Sequence, residues 1–106
     1  MKRLPVAYRP AALYDLEEIY RGIARASASH DVATGFVTRI LARCLKIGDA
    51  PHAGRPRDDL YKGLRTVPFD KVAVIAYLVE PKCVRIVGVY YGGRDYEALY
   101  RGHEAD

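Results

Sequence analysis

Two apolar runs, Val72–Val79 and Cys83–Tyr91, are separated only by Glu80-Pro81-Lys82. This feature constrains the fold more than any other. Each run is short, bounded by turn residues and rich in valine, isoleucine and tyrosine, so each reads as a strand. Pro81 presets the backbone for the turn between them. Val72–Val79 is apolar throughout, so it is expected at the centre of a sheet. Leu64–Phe69 gives a third strand just upstream, with Pro68 near its end, and Gly92-Gly93 closes the set. If residue 79 pairs with residue 83, Tyr77 faces Arg85, Ile75 faces Val87 and Lys71 faces Tyr91. Side chains alternate between faces, so Lys71, Tyr77, Arg85 and Tyr91 would share one side with Ala73, Ile75, Val79, Val87 and Val89. That face would be an apolar platform with a basic and phenolic rim, either solvated or open to an acidic or phosphate-bearing partner.

The first half of the chain has a different period. Residues 3–8 form a short strand placing Leu4, Val6 and Tyr8 together, and Pro5 assigns it to a sheet edge. Over Ala11–Ala26, Leu13, Leu16, Tyr20 and Ile23 recur at three- and four-residue steps, the spacing of a helix. Pro10 suits its first turn. Ser27–His30 interrupts this pattern, and Ser29 or Asp31 can cap a second helix over residues 31–47. Its apolar side carries Phe36, Val37, Ile40, Leu41 and Cys44, and Gly48 is expected to end it. Residues 48–63, punctuated by Pro51, Gly54, Pro56 and Gly63, read as a long loop. Within it, Arg55, Arg57, Asp58 and Asp59 read as a self-paired, solvated turn. Residues 94–106 read as a short helical or extended tail.

The resulting order is β-α-α-β-β-β. Three consecutive short connections give an antiparallel meander, joined at its edge by the first strand. The helical hairpin covers one face of this small, mostly antiparallel sheet, making a two-layer α+β sandwich. At 106 residues, residues 1–106 amount to one domain. No window reaches the ~20 uncharged apolar residues of a membrane span, and no apolar stretch follows the basic N-terminus as in a signal peptide. The expected location is cytoplasmic.

Chemistry is sparsely marked. Cys44 and Cys83 lie far apart, and with His30, His52 and His103 they form no zinc pattern. No phosphate-binding glycine loop is present. Neither metal nor organic cofactor is expected. Net charge is +4, yet 12 of the 17 basic residues are arginine, beside nine tyrosines. Arginine makes planar, bidentate bonds to carboxylate and phosphate and stacks on aromatics. The surface therefore suits an acidic protein segment or a nucleic acid. A reaction run without a cofactor is also open, since arginine, lysine and tyrosine can supply the cations and proton donors of RNA backbone cleavage.

Four segments, in order, carry a resemblance: Pro10-Ala11-Ala12-Leu13-Tyr14-Asp15-Leu16-Glu17-Glu18-Ile19; Gly54-Arg55-Pro56-Arg57-Asp58-Asp59-Leu60; Gly63-Leu64-Arg65; and Val87-Gly88-Val89-Tyr90-Tyr91-Gly92-Gly93-Arg94-Asp95. Together they resemble the RelE/ParE superfamily, toxins of type II toxin–antitoxin systems that are also called plasmid stabilisation proteins. The second, third and fourth segments look more like the ParE branch, although Tyr91 stands where many such chains have histidine. That resemblance implies inhibition of DNA gyrase and thus of replication, without an enzymatic site. It also implies a hetero-oligomeric complex with a small antitoxin. The antitoxin would have a DNA-binding N-terminal part and an acidic C-terminal segment lying on Leu13, Leu16, Tyr20, Arg65, Tyr77, Arg85 and Arg94. The RelE branch implies instead a ribosome-dependent mRNA endonuclease, with Arg65, Lys71, Tyr91, Arg94, Tyr96 and Tyr100 as its candidate residues. A non-toxic relative sharing the fold is the third alternative.

Overall fold

The computed structural model describes residues 3–104, with side chains to residue 101; His103 lies outside the described side chains. In chain order the elements are β1 (Val6–Tyr8), α1 (Pro10–Ser27), α2 (His30–Asp49), β2 (Arg55–Pro56), β3 (Arg65–Phe69), β4 (Ala73–Val79), β5 (Val84–Tyr91) and α3 (Tyr96–Glu104). The sheet order is β1-β5-β4-β3-β2. Strands β2 to β5 pair antiparallel, and β1 runs parallel to β5 at the sheet edge. This is the expected α+β sandwich, with a two-residue strand, β2, inside the segment read as loop.

Local chemistry explains the helical hairpin. Pro10 opens α1, and Ala28, in left-handed backbone at φ 55°, reverses the chain. The Ser29 hydroxyl then accepts the Val32 N–H at 3.2 Å and caps α2. The apolar stripes meet the sheet in one core built on Leu16, Ile19, Ile40, Cys44, Ile47, Val67, Ile75, Tyr77, Val84, Ile86 and Val89. Two outer chain segments are tied in through the backbone. Arg9 N–H donates to the Ile86 carbonyl at 2.9 Å, and Leu4 N–H to the Gly48 carbonyl at 3.0 Å.

Gly48 does not end α2, which continues to Asp49. A Cβ at residue 48 would stand 2.2 Å from the Leu4 carbonyl oxygen. Its glycine therefore permits the N-terminal segment to cross the helix closely; it is not a stop signal.

The hairpin register is also corrected. Val79 pairs with Val84, not with residue 83, and Tyr77 pairs with Ile86. A bulge then intervenes, so Ala76 pairs with Gly88 and Ile75 with Val89. The extra residue flips the face of β5 between its two halves. Ala73, Ile75, Tyr77 and Val79 do share a face, but it is the one covered by the helices. Arg85 faces the other way, opposite Leu78, and its guanidinium bonds Glu80 at 3.0 Å. The expected open platform of Lys71, Tyr77, Arg85 and Tyr91 is therefore not formed. Tyr77 is fully buried; its hydroxyl donates to the Pro51 carbonyl at 2.8 Å and accepts the Gly54 N–H at 3.0 Å.

Candidate functional site

The second face of the sheet is half covered. The segment after β2 turns back so that Leu60 and Leu64 pack on Ala76 and Tyr90, with Leu78, Val87, Tyr96 and Tyr100 around them. One side chain organises this cover. Arg57 is almost wholly buried, and its guanidinium bonds Asp59 through two nitrogens at 3.0 and 2.9 Å. It also bonds the Tyr96 hydroxyl at 3.2 Å and Glu97 at 2.5 Å. These bonds, to Asp59 and then to Glu97, hold the Arg57 proton more tightly than usual and pull the Asp59 carboxyl below its ordinary range. The expectation of a solvated turn fails here: Arg57 pairs with Asp59, but from the interior, and it fastens α3 to the loop.

Tyrosines complete the attachment. Tyr90 and Tyr96 stack with centroids 5.0 Å apart and planes 4° from parallel. The Tyr90 and Tyr100 hydroxyls share a 2.7 Å hydrogen bond. Burial, and then this bond, pushes the Tyr90 phenol far above its ordinary value, and burial also raises Tyr100. Both phenols are neutral at physiological pH. Between α3, the loop and β4–β5 lies a groove of about 310 Å³, lined mainly by Leu60, Leu64, Leu78, Val87 and Leu99 with Arg9 at its rim. Leu99 and Tyr61 are exposed beside it.

A second hollow, about 280 Å³, lies between the β3–β4 turn and the turn after β5, and its lining includes Lys71, Tyr90, Arg94 and Tyr96. Arg94 projects above the Tyr90 ring at 5.8 Å. Its Nη1 is 3.9 Å from Asp15.

The nuclease candidates are thus divided. Lys71, Arg94 and Tyr96 share the second hollow. Tyr91 lies on the opposite face, edge-on to Phe36, and Tyr100 lines the first groove. Arg65 opens β3, at the far end of that strand from Lys71, and bonds the His52 and Gly54 carbonyls at 2.9 and 2.8 Å. Of the antitoxin candidates, Leu13 is exposed, Leu16 and Tyr77 belong to the core, and Arg85 and Arg94 lie at different ends of β5. Tyr20 is half-buried, its hydroxyl 2.7 Å from His30 Nδ1. Sequence reasoning missed the burial of Arg57 and its link to α3, and it missed Arg9 and the Leu60–Leu64–Leu99 groove. The four-residue step from Leu60 to Leu64, and Leu99 between Tyr96 and Tyr100, were the available signals.

Among the described residues no helix is long and apolar enough to cross a membrane. No curated protein matches the chain by sequence. A solved structure of the chromosomal ParDE toxin–antitoxin system from P. aeruginosa is similar in fold, with a TM-score of 0.72 and 18% identity over 85% of this chain and 97% of that one. The family model for the ParE toxin of the type II toxin–antitoxin system parDE matches residues 6–96. That span runs from the start of β1 to the start of α3 and holds both long helices and every strand, so the chain belongs to the ParE toxin family.

Proposed function

We propose that this protein is the toxin of a type II pair, that it inhibits DNA gyrase and thereby replication, and that a cognate antitoxin neutralises it by direct binding in the cytoplasm. The observation carrying this reading is the family match across residues 6–96. The geometry favours a surface-acting inhibitor over a nuclease. Of the nuclease candidates, Lys71, Arg94 and Tyr96 share one hollow. Arg65 lies at the other end of the sheet, Tyr91 on its other face and Tyr100 in the other groove, so the full set does not reach one phosphate. One candidate phenol, Tyr100, has its hydroxyl bonded to Tyr90.

The antitoxin contributes an acidic, apolar-bearing segment. Its acidic residues meet Arg65, Arg85 and Arg94 along the sheet, and its apolar residues meet Leu13 and its exposed neighbours on α1. Leu16, Tyr20 and Tyr77 support this surface from within.

Supercoiling by purified gyrase, in the presence of the toxin and then of toxin with antitoxin, tests the proposal. Inhibition that accumulates cleaved DNA and is relieved by the antitoxin supports it. Unaffected supercoiling together with mRNA cut at ribosomal positions overturns it.

A further inference from the structure

Two tight turns lie side by side at one end of the sheet. Asp70 and Lys71, between β3 and β4, both have left-handed backbone, with φ 49° and 59°. Gly92 and Gly93, after β5, have φ 73° and 76°. The Gly92 N–H donates to the Val72 carbonyl at 2.9 Å and ties one turn to the other. Asp70, the acid of the first turn, is held by Arg39 of α2 at 2.5 Å. The hollow between the turns is lined by Lys71, Tyr90, Arg94 and Tyr96 with apolar residues of β3, β4 and the turns, and no carboxylate is in its lining.

This hollow combines two features that a purely acidic peptide would not use together. Lys71 is exposed. Arg94 is 52% exposed, and its 3.9 Å separation from Asp15 is beyond hydrogen-bonding reach, so its donors remain available. Beside these cations stands Tyr96, which lines the hollow and has one ring face stacked on Tyr90, leaving the other for a base. Cations that follow a backbone, set beside an aromatic on which a base can lie, are the elements of single-strand recognition. Glutamate side chains could meet the cations but offer no flat surface to the tyrosines.

We propose that the hollow binds a short stretch of single-stranded nucleic acid, with Lys71 and Arg94 each taking one phosphate and the intervening base lying against Tyr96. No reaction is involved; the contact is one of binding. It goes beyond the gyrase reading and does not rest on it, because the toxin alone suffices for the measurement.

Fluorescence anisotropy with labelled eight-nucleotide DNA and RNA strands, and an eight-residue glutamate peptide as the acidic control, tests this. The toxin is expected to bind a strand at low salt and to lose roughly tenfold in affinity between about 50 and 250 mM salt, the slope for two phosphates on a single strand. Lys71→Asn, which tolerates the left-handed turn, combined with Arg94→Gln should weaken binding by about tenfold or more. Tyr96→Leu should weaken it by about tenfold, and Tyr96→Phe should recover most of that loss. Preference for DNA or for RNA identifies the source of the strand, and either supports the proposal. Absence of binding to both strands, equal affinity for the glutamate peptide, or unchanged affinity in the Lys71→Asn/Arg94→Gln variant overturns it. None of these results alters a supercoiling assay, so the two readings fail separately.

Discussion

The Asp15 carboxylate accepts the backbone N–H of Val89 at 3.0 Å, joining the first helix to the last strand across 74 residues of sequence. On this side of β5, pairing with β1 ends at Ile86. Asp15 therefore serves an N–H that lies past the end of the neighbouring strand.

Burial is the main influence on Asp15 and raises its pKa, while the Val89 N–H and then Arg94 oppose it. A carboxyl with a raised value in the fold binds its proton more tightly there than in the unfolded chain. Its favourable contribution is therefore present in acid and lost as pH rises from about 4 through the folded value. Asp15→Asn keeps an oxygen for the Val89 N–H and removes the titration. The stability of the native chain relative to Asp15→Asn should thus fall over that window. Urea midpoints for both proteins from pH 4 to 7 measure it, and the difference cancels the opposite trend from Asp59 and Glu80, which their arginines lower.

Replacing Arg57 should release α3 before anything else. Arg57→Met removes charge-assisted bonds to Asp59, Glu97 and the Tyr96 hydroxyl. Both carboxylates can rehydrate, so the expected loss is about 2 kcal/mol. Amide exchange should show residues 96–101 losing protection while α1 and α2 keep theirs. Equal loss throughout would mean that Arg57 supports the whole fold and not this attachment.

These two residues show where sequence was informative and where it was not. The helices were legible because Leu13, Leu16, Tyr20 and Ile23 repeat a local period. The central hairpin was legible because eight apolar residues in succession have few other destinations. The register was not. A pairing of 79 with 83 and the actual pairing of 79 with 84 bring equally apolar residues together, and the bulge beside Gly88 is marked only by that isolated glycine. Arg57 looked like a surface arginine because its burial depends on Glu97, 40 residues onward. Tyr77 was placed on an exposed platform because the loop that receives its hydroxyl, at Pro51 and Gly54, reaches it only through tertiary packing. The grouping of the cationic candidates depended on turns and on the fold of the tail, which no local pattern marks.

Two glycines of α2 should respond in opposite directions. Gly35→Ala meets nothing within 4 Å and should stabilise α2 by about 0.5–1 kcal/mol. Gly48→Ala forces a methyl against the Leu4 carbonyl and should destabilise by about 3 kcal/mol, the upper range for overpacking. Thermal denaturation of both variants checks the contrast. If Gly48→Ala is neutral, the crossing of the N-terminal segment is looser than described.

The two thiols should differ in reactivity. Cys44 is fully buried, and burial pushes its thiol up to about 11, against weaker lowering by Tyr8. Cys83 is partly exposed and raised less, chiefly by burial and then by Glu80. A disulfide-based thiol reagent at pH 8 should titrate one thiol in the native protein and two in denaturant. Cys83→Ser should abolish the native signal.

Strand β1 finds its hydrogen-bonding partner in β5, the last strand of the chain. On a ribosome, residues 6–8 leave the tunnel long before residues 84–91 exist outside it. The helical hairpin can form early from local contacts, but the sheet edge at β1 has nothing to pair with until β5 has emerged, and closing so long a loop is slow. Toxicity that depends on the finished sheet therefore begins only after residues 84–91 have left the ribosome. An antitoxin already present in the cell has that interval in which to meet the emerging chain.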